Sequence, residues 1–70
     1  MIFEKQLAAD GQTRQFTIER GARTGCIASE RDGREAPQTS VIRDWRQVEA
    51  AIALFERKAS QLRSEGWTEI

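Results

Sequence analysis

The sequence predicts an α+β domain in which four short antiparallel strands form a meander and pack against one C-terminal α-helix. Three observations carry this. A single long stretch, Asp44 to Gly66, has helical periodicity. Ahead of it, short segments of alternating apolar and polar residues are separated by turn signals, two of them Asp-Gly pairs. The connections are all short, which favours pairing between strands that are neighbours in the chain. At 70 residues, with no linker, repeat or low-complexity segment, positions 1–70 form a single domain.

The strands follow in order. Ile2 to Ala9 places Phe3 and Leu7 on one face, with Lys5 between them as a long-stemmed exception. Asp10-Gly11 is a hairpin-type turn. Arg14 to Arg20 alternates cleanly: Phe16 and Ile18 face one side, and Gln15, Thr17 and Glu19 face the other. Gly21-Ala22-Arg23-Thr24-Gly25 is a glycine-bounded turn. Cys26 to Glu30 is the third strand, with either Cys26 or Ile27 directed inward. Asp32-Gly33 makes the next turn. Gln38 to Ile42 is the fourth strand, with Val41 as its core candidate and Pro37 at its start, where a missing N–H does least harm.

The helix has Trp45, Val48, Ile52, Phe55, Ala59 and Leu62 at spacings of 3, 4, 3, 4 and 3, a single apolar stripe. Asp44 is placed as N-cap with Gln47 three residues on, as in a capping box. Gly66 suits the closing left-handed position, and Trp67 then folds back on the last turn. Phe55 falls at the centre of the helix–sheet contact. One helix must cover the apolar face of the sheet, because neither element keeps such a face in water. The other face has no cover within the chain.

Composition excludes several functions. Eleven basic residues balance eleven acidic ones, so bulk charge gives no attraction to nucleic acid or an anionic membrane. His is absent and Cys26 stands alone, which leaves no metal-ligand set, no nucleophile–base pair and no disulfide. Neither a cofactor nor a metal is expected, and the chain is read as a binding module, not an enzyme. No segment is apolar enough to span a bilayer and the N-terminus has no signal-peptide pattern, which predicts a cytoplasmic protein without membrane contact.

Two segments together resemble the WGR domain, a small sheet-plus-helix module. Its members carry a strand, a Trp-Gly-Arg-hydrophobic-Gly turn, two further strands, and a helix with spaced Ala, Phe and Lys before a closing Gly-aromatic pair. Here Phe16-Thr17-Ile18-Glu19-Arg20 leads into Gly21-Ala22-Arg23-Thr24-Gly25, and the helix offers Ala51, Phe55, Lys58 and Gly66-Trp67. Gly21 stands where the family has Trp and Ala22 where it has its first Gly; Arg23 and Gly25 match. The resemblance implies nucleic-acid contact through Arg23.

Two functional expectations follow. In the first, Arg14, Arg20, Arg23 and Arg34, at strand ends and turns beside the uncovered face, contact nucleic acid. In the second, the chain is a protein-interaction or structural module acting as a homodimer. Apolar residues left over from the core, Leu54 on the helix and Ile2, Ile27 or Ile42 on the strands, would lie at the two-fold.

Overall fold

The computed structural model describes residues 1–21 and 25–70. Five strands and one helix follow in the order β1 (Phe3–Ala9), β2 (Gln12–Arg20), β3 (Cys26–Asp32), β4 (Gln38–Ile42), α1 (Trp45–Ser64) and β5 (Thr68–Glu69). The sheet order is β4-β3-β2-β1-β5, antiparallel throughout. The α+β meander and its C-terminal helix therefore stand as the sequence predicts, with β5 added on the far side of β1. β5 is too short to leave a pattern in sequence. It forms because the helix end returns the chain beside β1, where Leu7 pairs with Glu69 and Ala8 with Thr68.

Local chemistry fixes the joints. Asp10 and Gly11 both adopt positive φ, +51° and +78°, which gives the two-residue turn whose twist matches the paired strands. Asp44 caps the helix by accepting the Arg46 backbone N–H at 3.0 Å, so the bond goes to the second helical residue and not to Gln47. At the other end the Gly66 N–H donates to the Arg63 carbonyl at 3.1 Å and the Trp67 N–H to the Leu62 carbonyl at 3.0 Å. These two bonds satisfy carbonyls that the helix leaves open, and they fold Trp67 back against the core.

The core lies between α1 and one face of the sheet. Leu7, Phe16 and Ile18 from the central strands are fully buried, and Val48, Phe55, Ala59 and Leu62 meet them from the helix. Phe55 sits at the centre, its ring centroid 5.1 Å from that of Phe16 and 6.0 Å from that of Phe3.

Two expected core residues are elsewhere. Val41 is 65% exposed; Ile42 takes the inward place because it pairs with Cys26, on the helix side of the sheet. The same alternation turns Ala28 inward and Ile27 outward. Trp45 is 62% exposed: as the first helical residue it stands over the end of the sheet, and its Nε1 donates to Glu49 across one turn. No helix among the described residues is long and apolar enough to cross a membrane.

Candidate functional site

Strand alternation determines what each face of the sheet offers. On the face away from α1 the registers place Glu4, Gln6, Thr13, Gln15, Thr17, Glu19, Ser29 and Arg31, with Ile27 and Val41 toward β4. This surface is polar and nearly neutral. All three phenylalanines, Phe3, Phe16 and Phe55, are on the helix side, so the free face has no ring on which a base could stack.

The candidate arginines among the described residues, Arg14, Arg20 and Arg34, occupy opposite ends of the molecule. Arg14 is on the helix side, opposite Asp32, near the β3–β4 turn that carries exposed Arg34. Arg14 is engaged internally: its Nη2 donates to Glu30 at 2.7 Å, and its guanidinium lies 5.6 Å from the Phe16 ring centroid. Lys58 Nζ reaches the other oxygen of Glu30 at 2.8 Å. Arg20 ends β2 opposite Cys26, six residues or roughly 20 Å along the strand from Arg14. Arg23 lies outside the described residues, as does the centre of the turn around it. The structure thus brings Arg14 toward Arg34 and separates both from Arg20.

At the Arg20 end is a cleft of about 410 Å³. Arg20 and Arg43 line it, Trp45 and the capping Asp44 stand at the helix start, and Cys26 and Ile42 form its inner wall. Cys26 is a half-buried free thiol. Among the described residues no group of three or more His, Cys, Asp or Glu side chains is placed to hold a metal ion.

No family model, curated protein or solved structure matches this chain. The likeness to the WGR domain rests on residues of this sequence alone. Several of those have structural work: Phe16, Ile18 and Phe55 are core, Lys58 bonds Glu30, and Gly66 and Trp67 close the helix.

The second surface is the outer edge of β4. In Gln38–Ile42 only Ile42 is buried, and the strand contains no charged residue. Edge strands are normally blunted by charge, shortness or cover. β5, at the opposite edge, is two residues long, and its Glu69 is bonded to Lys5 and Arg63. β4 has only the flanking Pro37. Beside it, between β4 and α1, a groove of about 330 Å³ opens onto the core: Ala28, Ile42, Ala51 and Phe55 form its apolar part, Glu30 and the β4 residues Gln38 and Ser40 its polar part, and Leu54, 41% exposed, stands on its helix side. The sequence flagged Leu54 as off the main stripe, but it gave no sign that the β4 side of the sheet was the side left open. That depended on the parity of Val41 and Ile42, two adjacent apolar residues between which periodicity cannot choose.

Proposed function

We propose that this chain is a protein-interaction module that receives an extended segment along the outer edge of β4. The observation that carries the reading is the uncharged, outward β4 edge bordering an open groove that reaches the apolar core at Ala28, Ile42 and Phe55. An added strand would find unpaired backbone N–H and C=O groups along β4, and alternate side chains would enter the groove beside Leu54 or lie against Val41. The polar, nearly neutral free face suits solvent, and the opposite edge is guarded by charge.

The test is an amide-shift titration with extended peptides of alternating apolar and polar residues, this chain's own residues 37–43 among them. Binding is expected to move the amides of Gln38–Ile42 together with those of Ala51 and Leu54, and the Leu54→Glu variant is expected to weaken it. Shifts confined to other surfaces sink the reading.

A second reading, nucleic-acid binding, is favoured by Arg20, Arg43 and exposed Trp45 around the end cleft. There a base would stack on Trp45 and the two guanidiniums would meet phosphate. A low-salt shift assay with single- and double-stranded DNA and RNA tests it. Binding should fall with salt through counterion release and fall again in Arg20→Ala and Arg43→Ala. Micromolar silence on all four ends it.

A further inference from the structure

Resting on the interaction reading, we infer that the occupant of the β4 edge is β4 of a second copy of this chain, paired antiparallel about a two-fold axis perpendicular to the sheet. Four features of the edge favour self-pairing. Gln38, Thr39, Ser40, Val41 and Ile42 carry no charge, so the strand meets its own image without like-charge contact. Glu35 precedes the strand and Arg43 follows it, both exposed. Antiparallel pairing brings each copy's Glu35 to the end where the other copy's Arg43 lies. Arg34 beside Glu35 and Asp44 beside Arg43 leave each end of the strand locally neutral, so charge does not oppose the pairing, and two-fold symmetry makes it antiparallel.

The third feature is the sidedness of the sheet. A two-fold perpendicular to the sheet keeps both helices on the same face of a continuous ten-stranded sheet, twice the five strands of one copy. The two grooves then lie side by side along the seam, with Leu54 of each helix facing the other. The fourth is the apolar pair on the opposite face: Ile27 and Val41 are cross-strand partners, 38% and 65% exposed, and the seam joins the two pairs into one stripe. Stable interfaces bury about 1,200–2,000 Å² in total. A five-residue ladder supplies only part of that, so the helix side must contribute, and Leu54 is the residue placed to do it.

Sedimentation equilibrium on the full chain, from micromolar to about 0.5 mM, tests the inference. The expected result is a monomer–dimer equilibrium reaching twice the 8.0 kDa chain mass, with a Kd on the order of tens of micromolar. Val41→Lys and Leu54→Glu change exposed side chains and leave the fold standing, as circular dichroism verifies; each is expected to raise the Kd about tenfold or more. Gln15→Lys, in the middle of the free face, is expected to leave it within about twofold. A dimer broken by Gln15→Lys and indifferent to the other two is a face-to-face dimer and overturns the inference. So does a single species at chain mass throughout. In that monomer, extended peptides that still shift the β4 amides overturn only the second copy as occupant, whereas silence at β4 overturns the interaction reading with it.

Discussion

At the scale of single residues, Phe55 and Glu30 carry the largest consequences. Phe55 touches both sheet phenylalanines and is 6% exposed. Truncation removes the centre of a thin core that has few neighbours able to close the gap. Phe55→Ala is expected to cost about 3–5 kcal/mol, a large share of the stability of a domain this size. A denaturant midpoint equal to wild type would place the helix in a different register. Glu30 receives Arg14 on one oxygen and Lys58 on the other while itself 18% exposed. Arg14 Nε is already buried without a partner among the described residues, so removing Glu30 leaves a half-buried guanidinium uncompensated. Glu30→Ala is expected to lower stability by about 1–2 kcal/mol and Lys58→Ala by no more than about 1, because the lysine is the more solvated partner. Urea unfolding of the two variants checks the ordering, and equal losses would contradict it. In the sequence Glu30 is an ordinary carboxylate; its role follows from register, which sets it beside Phe16 and within reach of a helix 28 residues away.

At the scale of elements, what was legible was local. The helix cap at Asp44, the closing pair Gly66-Trp67 and the Asp10-Gly11 turn act within a few residues, so their chemistry is written in adjacent letters. The long stripe on α1 was legible for the same reason, except at Trp45, where periodicity continues past the end of the sheet that would have covered it. Parity was not legible in β3 and β4, where Cys26-Ile27 and Val41-Ile42 each offer two apolar neighbours and only the pairing of Cys26 with Ile42 decides. The candidate site suffered most from this. Which end of the sheet an arginine occupies follows from strand direction: Arg20 ends β2, Arg14 lies two residues inside its other end, and Arg34 follows β3 on that same side. Gly25 illustrates a non-local constraint hidden in a local letter. At φ +85° it passes so close to the start of the β4–α1 connection that an added Cβ would lie 2.5 Å from the Ile42 carbonyl oxygen. Backbone cannot yield as a flexible side chain would, and the conformation itself disfavours other residues. Gly25→Ala is expected to cost about 1–2 kcal/mol or more and to disturb Ile42. Thermal melting measures the loss, and a melt identical to wild type would mean that the approach is relieved at no cost.

At the scale of the whole molecule, one helix covers a five-stranded sheet, and the uncovered part of the core lies beside β4. A domain of this size buries only about 60% of its unfolded surface, so stability gained by association is a large fraction of the total. If two copies join through β4, melting must depend on protein concentration, because mass action favours the folded dimer over unfolded chains. Above the Kd, each tenfold rise in concentration adds about 1.4 kcal/mol per dimer, or about 0.7 per chain, which moves Tm upward by about 3–5 °C for a chain of this length. Leu54→Glu separates this from a concentration effect on aggregation. Its side chain is 41% exposed in the single copy, so the variant should melt at the Tm of dilute wild-type protein and hold that value at every concentration. Calorimetry over a hundredfold range on both proteins makes the comparison. A wild-type Tm that stays flat across that range is incompatible with association through β4, and a Leu54→Glu Tm that climbs in step with wild type would place the interface away from the groove.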